Sequence, residues 1–500
     1  MVRIDYGNGT YTEYGYNNLT LRLENLQTKN LQLQTIQDLT YGFDNVGNVL
    51  SITDTSNGTP AGTNTQTFGY DDLNRLTSAT GASYGTINYS YDSIGNMLIK
   101  SGLSPQGTVP DFTPMTMTYG EGTAGPHAVT HYTKNSTLYE VKYDLNGNML
   151  EKSESLGKKT FTYDIENRLT EVKSPKETYL SNYEISLDPG WNFVSIPVVT
   201  AETIDAIFQR SGIVKAQVSR YNALAGAWEH HAYEEGKDLS QYNDSNFNEF
   251  DYGMGYEIYV DSASTLTVTG ITPTIDKSLD LNVGYNLVGA PTTDEVLASE
   301  AFSGITDYNV YEYNGTGYTE VTTLKAKKAY FVKLTTTQTW NIPKEKETTT
   351  YAYDGDGGRV RVTTSSETTT YIGSTYEVVK GTVPEGGLSP TKISKHIFLG
   401  STRICTIEGT VPEGGLSPET WEYRYFHQDH IGSSNVVTDE SGAIAKLIEY
   451  SPYGLTSRDW GEYNTNYRFT GKLFDKTTDL YYYGARYYDP SLGRFITPDT

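Results

Sequence analysis

Cysteine is nearly absent: Cys405 stands alone in 500 residues. One cysteine excludes an intrachain disulfide, so stability must come from the fold itself. Long apolar runs are also missing. No stretch approaches the ~18 residues that a membrane-spanning helix needs. The opening Met1-Val2-Arg3-Ile4-Asp5 has no apolar segment of the kind that marks a secretory signal. It already lies in repeat-like sequence, so a fragment of a longer protein, or a short relative, is expected. Positive charge is scarce, with 38 Lys and Arg against 61 Asp and Glu and a net charge of −23. That balance argues against nucleic acid and anionic membranes as main partners. The length exceeds one ordinary core, so two or more structural units are expected.

What the chain does have is tyrosine, 43 of them, and a repeat built on it. Six times an aromatic residue and an Asp precede a short turn. The copies are Phe43-Asp44, Tyr70-Asp71, Tyr91-Asp92, Tyr143-Asp144, Tyr163-Asp164 and Tyr353-Asp354, each followed within four residues by Gly, Asn or Arg. A degenerate copy stands at Tyr16-Asn17, and another is worn down near Tyr119. Neighbouring copies lie 20 to 27 residues apart, or about twice that across the worn one. Such a period signals supersecondary units that cannot bury their apolar faces alone. Alternation such as Phe161-Thr162-Tyr163 is strand patterning. An Asp at a turn start accepts from backbone N–H groups just ahead, and Gly or Asn later tolerates positive φ. Asp44, Asp71, Asp92, Asp144, Asp164 and Asp354 are therefore read as turn-builders rather than ligands or catalysts. The tyrosines are expected to pack their rings and keep their hydroxyls in water.

Between Asp164 and Asp354 the repeat vanishes for 190 residues. Residues 184–343 look different and contain two related halves. Leu187-Asp188-Pro189-Gly190-Trp191-Asn192 parallels Leu281-Asn282-Val283-Gly284-Tyr285-Asn286 at an offset of 94. Tyr221-Asn222 with Trp228 parallels Tyr313-Asn314 with Tyr318, and Gly255-Tyr256 parallels Ala329-Tyr330. Removing the segment leaves a gap close to the repeat spacing. A duplicated β-rich domain inserted at a hairpin loop is expected, with one short helix around Ile204, Ile207 and Phe208. Trp191, Trp228 and Trp340 are candidates for stacking on sugar rings; the plainer reading places them in the core of a small β domain. His230-His231 has no partner at ligand spacing and is read as surface.

The C-terminal block carries a specific resemblance. Asp429-His430-Ile431-Gly432, Tyr467 to Gly471, and Leu480-Tyr481-Tyr482-Tyr483-Gly484-Ala485-Arg486-Tyr487-Tyr488-Asp489-Pro490-Ser491-Leu492-Gly493-Arg494-Phe495 resemble the Rhs repeat-associated core. The upstream repeats resemble the YD repeats of the same superfamily. The resemblance covers residues 1–183 and 344–500. It implies an all-β fold: a YD-repeat antiparallel strip (1–183 and 344–420) curling into a shell or partial cocoon. Residues 421–500 would form the core block, and 184–343 the duplicated insert. It also implies a job, a non-enzymatic scaffold that encapsulates and helps deliver a C-terminal toxin or effector. Secretion or a bacterial cell-surface location follows, with that effector and a delivery component as partners.

Family members open a self-cleaving aspartyl-protease segment where this chain reads Phe495-Ile496-Thr497-Pro498-Asp499. Acid–base hydrolysis by carboxylates needs a pair sharing a proton. Asp499 is a remnant candidate without its partner, so no autoproteolysis is expected, and no residues remain for a cargo. Two other readings stand beside the shell: an adhesin whose insert takes carbohydrate, and, weakest, a self-processing protease. His127 with His131, and His427 with His430, lack a third ligand for zinc. Asp354-Gly355-Asp356-Gly357-Gly358 resembles a calcium loop, yet Ser365 stands where the closing Glu is needed. No metal and no cofactor are expected. The decapeptide at 381–390 recurs at 409–418 and is read as two long loops.

Overall fold

The structure is a computed structural model. It describes residues 2–56, 64–102, 114–134, 136–154, 157–175, 180–200, 202–222, 225–244, 247–271, 277–291, 295–313, 316–342, 346–381, 391–412, 415 and 417–499. The first decapeptide loop beyond Gly381 lies outside the described residues, as does much of the second, and so does Asn314. Two compact units are present, one comprising Met1–Glu154, Lys158–Ser174 and Thr348–Thr500, the other chiefly Pro175–Glu347.

The first unit is a 25-stranded antiparallel sheet in which each strand pairs with the next along the chain. The order is uninterrupted where the second unit departs: Leu169–Pro175 pairs directly with Lys346–Tyr353. The strip is not flat. Asn8 Nδ2 donates to Thr438 Oγ1 at 2.9 Å and to the Asp439 carbonyl at 2.7 Å, across 430 residues. Tyr6 meets His427 edge-on at 4.5 Å. The first strands therefore face late ones, as accumulated strand twist allows. No pairing joins the first strand, Arg3–Asp5, to the last of the sheet, Thr456–Trp460, among the described residues, so the sheet is curled but open. The main core lies on one face, where Met149, Phe161, Leu169, Val172 and Tyr351 meet Leu480, Tyr487, Leu492 and Ile496 of the C-terminal block.

The repeat motif has three working parts. The Asp closes its own turn: Asp144 Oδ1 accepts from the N–H groups of Asn146 and Asn148 at 2.9 and 2.8 Å. Asp44, Asp71, Asp92, Asp164 and Asp354 repeat the pattern. The residue four places on holds that Asp and reaches forward. Asn148 Nδ2 donates to Asp144 and to Asn167 of the next turn, and Arg75 donates to Asp71 and to the Asp92 carbonyl. The tyrosine reaches back. The hydroxyls of Tyr70, Tyr91, Tyr143, Tyr163 and Tyr353 donate to the carbonyls of Val49, Leu76, Val129, Met149 and Leu169 at 2.7–3.0 Å. These hydroxyls are not left to water, which corrects the expectation above. A strand carbonyl whose own ladder ends at a turn needs a donor, and the ring delivers one. Burial accordingly pushes the Tyr143 hydroxyl up to about 12. The worn copy keeps its clip: Tyr119 donates to the Met97 carbonyl at 2.7 Å.

In the second unit, two four-stranded sheets have the same order. One runs Gly190–Ser195, Gly255–Val260, Lys215–Asn222, Ala227–Glu234; the other Gly284–Gly289, Ala329–Leu334, Tyr308–Tyr313, Tyr318–Glu320. The duplication extends to side chains. Asn192 folds back onto Asp188 as Asn286 does onto Asn282, and each also donates to a neighbouring strand carbonyl. The helix Ile204–Arg210 is capped by Thr203 and buries Ile204, Ile207 and Phe208, at the expected place.

Candidate functional site: the tyrosine-rich C-terminal block

The block is a small meander of Leu473–Asp475, Leu480–Tyr482, Tyr487–Asp489 and Arg494–Phe495. Its turns need left-handed backbone: Gly484 and Gly493 have φ of 91° and 68°, Gly471 just ahead of the block has 67°, and Gly432 in a strip turn has 84°. Tyr481, Tyr487 and Tyr488 are buried, as is Pro490. Tyr483, Tyr488 and Phe495 pack edge to face around one another. This aromatic surface is covered rather than trailing in solvent, as its size required.

Three buried or half-buried ion pairs fasten the block to the strip. Arg359 Nη1 meets Asp475 at 2.7 Å, with side chains 1% and 9% exposed. Its guanidinium lies 4.2–5.8 Å from the ring centres of Tyr351, Tyr371, Tyr482 and Tyr487, a cation held by π faces as well as by charge. Lys152 Nζ meets Asp489 at 2.7 Å, and Lys159 Nζ meets Asp479 at 2.7 Å; Glu154 serves both lysines. Burial alone would raise the Asp489 pKa. The Lys152 ammonium, followed by the Ser491 hydrogen bonds, outweighs it and holds the carboxyl below its ordinary value. Beyond the pairs, the Ile496 carbonyl accepts from Met149 N–H at 2.9 Å. Pro498 lies so close to Gly147 that a Cβ there would come within 2.8 Å of it.

The nearest aspartates in sequence, Asp475, Asp479 and Asp489, are not the partners of Arg486 and Arg494. The three aspartates serve Arg359, Lys159 and Lys152 on the strip. Arg486 stacks on Phe495 at 3.9 Å and pairs with Asp499 at 3.4 Å, and Arg494 lies over Tyr119. Nothing in the block itself revealed the strip-side partners. A signal existed in the strip: Lys152 and Lys159 occupy inward positions of alternating strands.

The other candidates separate in space. Asp429 Oδ1 accepts from the N–H groups of Ile431 and Ser433, another turn of the repeat type, and the His430 ring lies 4.9 Å from Tyr41. His427 is fully buried between Thr438 and Thr12, and burial drops its pKa to about 3. His127 bonds Asn96 and His131 bonds Glu121. No group of three or more metal-type ligands occurs among the described residues. In the second unit, Trp191 and Trp228 are exposed, but Trp340 is fully buried and donates to the Ala301 carbonyl at 2.8 Å, so it cannot stack on a sugar. His231 is buried, not surface: its two nitrogens bond the Phe247 carbonyl and Asp205.

Asp499 is exposed at a cleft of about 520 Å³ lined by turn residues including Asn148, Asn167 and Arg168. Glu166 and Asp356 line it too, but Asp499 pairs with a guanidinium rather than a second carboxyl. Among the described residues no helix is long and apolar enough to cross a membrane.

A curled strip of clipped hairpins, carrying a tyrosine-rich block fastened by buried charge, defines a YD-type β-shell. Residues 419–500 match the Teneurin YD-shell family, so the resemblance read from the motifs holds for this block. Among characterised relatives, salivary gland surface protein 1 of Aedes aegypti is 42% identical over 74 residues, 14% of this chain and 2% of that protein. Double-stranded DNA deaminase toxin A of Burkholderia cenocepacia is 39% identical over 80 residues, 15% and 6%. Toxin subunit YenC1 of Yersinia entomophaga is 41% identical over 83 residues, 16% and 8%. The chain thus matches only a small part of each. The solved TcdB2-TccC3 assembly aligns over 100% of this chain and 26% of the other at 14% identity and a TM-score of 0.28.

Proposed function

We propose that the YD-type unit is a non-enzymatic wall that shelters a polypeptide cargo, a toxin or effector, and helps deliver it. The observation that carries this is the fastening of the C-terminal block to one face of a curled strip. Buried ion pairs and a backbone hydrogen bond from Met149 to Ile496 secure the chain up to its last residues. Two relatives are named toxin proteins, one of them by an enzymatic activity. On this reading the protein works outside the producing cell, secreted or at its surface, with the effector and a delivery component as partners.

The test is protection. A small protease-sensitive reporter domain is fused after Asp499 and digested in the native protein. Protection at least tenfold beyond that of the free reporter is expected. Equal digestion rates would refute the wall.

A further inference from the structure

The second unit holds a cleft of about 490 Å³ whose six lining residues are all aromatic: Tyr221, Trp228, Tyr285, Tyr311, Tyr318 and Phe331. They come from both halves of the duplication. Tyr221 and Trp228 face each other across two paired strands of the first sheet, rings 5.5 Å apart. In the second sheet Phe331 contacts Tyr318 at 5.2 Å and Tyr285 at 6.5 Å, and Tyr285 contacts Tyr311 at 6.1 Å. These rings sit on the sheet face opposite the core, since the alternate positions Val310, Tyr330 and Val332 are the buried ones. Trp228, Tyr285 and Tyr318 remain 36%, 51% and 59% exposed. A cluster of this size is covered by something when the protein works.

The lining selects the occupant. There is no aliphatic wall for a lipid tail and no charged wall for an ion. The space is far larger than one trimethylammonium head, though within the usual range of ligand pockets. Rings with hydroxyl and N–H edges suit a ligand having apolar faces and polar rims. A pyranose is such a ligand: its C–H face stacks and its hydroxyls ring the edge. Glu257 stands beside the cleft, outside its aromatic lining, within reach of a ligand longer than one ring. It stands opposite Phe193 in the strand register, and Phe193 packs on Tyr313 and Phe331 of the second sheet. Its charge is felt by Tyr318. It is half-buried, and its carboxylate makes no hydrogen bond or ion pair among the described residues. A carboxylate needs donors. Sugar hydroxyls supply them, whereas a proline-rich peptide, the other ligand of aromatic grooves, offers chiefly carbonyl acceptors.

We infer that this cleft binds an uncharged oligosaccharide, with sugar rings stacked on Trp228 and Tyr318 and hydroxyls donating to Glu257. The inference concerns the second unit alone and does not depend on the wall reading. The test uses the full chain, titrated with cellohexaose, xylohexaose, chitohexaose and maltoheptaose while tryptophan fluorescence and binding heat are followed. At least one is expected to bind. Trp228→Ala, Tyr318→Ala and Glu257→Gln are each expected to weaken it tenfold or more, and Trp191→Ala, exposed but outside the cleft, to leave it unchanged. Absence of binding to all four at millimolar concentration would overturn the inference. So would affinity unaltered by both Trp228→Ala and Glu257→Gln in folded protein, or binding of a proline-rich peptide or choline but none of the four sugars.

Discussion

Asp489→Asn removes one charge from the Lys152–Asp489 clamp and almost nothing else. Asn retains an oxygen to accept from Ser491 N–H, Ser491 Oγ and Leu492 N–H, so the turn after the strand survives. What is lost is the carboxylate 2.7 Å from an ammonium whose side chain is 6% exposed. Breaking one side of a buried pair costs about 3–5 kcal/mol, because the remaining charge is stranded. Here Glu154 still lies 2.9 Å from Lys152 and Ser491 Oγ 2.8 Å away, which pulls the cost to the lower end, about 3 kcal/mol. The block should loosen before the strip does, so the assay is native-state hydrogen exchange of the amides in Tyr487–Asp489. A 3 kcal/mol loss corresponds to exchange faster by on the order of a hundredfold. Adding Lys152→Met removes the stranded cation and should recover most of the protection, as apolar replacement of buried pairs often does. Exchange altered less than about fivefold by Asp489→Asn, or a double variant as loose as the single one, would refute the clamp.

Four further outcomes are expected. Tyr163→Phe keeps the ring and deletes the hydrogen bond to the Met149 carbonyl, costing about 1 kcal/mol in denaturant unfolding; a neutral result would return the hydroxyl to solvent. Asp144→Ala removes the acceptor for two backbone N–H groups and the Asn148 side chain, so it should cost more than Asp144→Asn in the same assay. Replacing residues 176–345 with a short turn should leave the strip soluble, since its flanking strands pair directly, and the excised unit should unfold cooperatively alone; aggregation of either would overturn the division. His427, neutral and buried with a pKa of about 3, makes the unfolded chain the better proton binder below its own pKa of about 6.5. Its contribution is complete above that value and is lost as pH falls, at about 1.4 kcal/mol per unit once titration is under way. His427→Gln should flatten that slope between about pH 5 and 6, and an unchanged slope would place the proton elsewhere.

The period, the Asp turns and the duplicated halves were legible because each is local. An Asp bonds N–H groups within four residues, and Asn192 and Asn286 fold back over the same short span. That the tyrosine-rich block must be covered follows from its bulk alone, since so much aromatic area has no stable place in water. Partners across the fold were not legible. Alternation tells which face a residue takes, not which distant strand meets that face. Hence Asp475 could not be matched to Arg359 by spacing, and Trp340 could not be told from Trp191. Trp340 sits across from the partly buried Leu279 and against the core of its half, and Trp191 lies on an edge strand, half exposed. The role of the final Asn or Arg of the motif escaped for the same reason: half of its work is done in the next repeat.

That division of labour explains how the strip tolerates interruption. A repeat is joined backward by a tyrosine hydroxyl, which the Phe43 copy lacks, closed by its own Asp, and joined forward by Asn or Arg, which the Asp354 copy replaces with Gly358. Its stability is then largely a sum of nearest-neighbour terms. A copy can lose its Asp, as at Gly120, and keep its place through the Tyr119 clip. A second unit can leave between Pro175 and Glu347 because the seam is made of the same parts. Tyr353 donates to the Leu169 carbonyl at 2.7 Å, and Arg168 reaches the Asp354 carbonyl at 3.5 Å, as if the two repeats were consecutive. The C-terminal block obeys a different rule. Its pairs span 116 to 337 residues, so they form only after the strip has brought Lys152, Lys159 and Arg359 onto one face. Long-range contacts of this kind come late, after loop closure has been met by local pairing. The block therefore tests whether the strip has curled correctly: a strip in the wrong register presents its lysines to solvent and leaves Asp475 and Asp489 without charge partners.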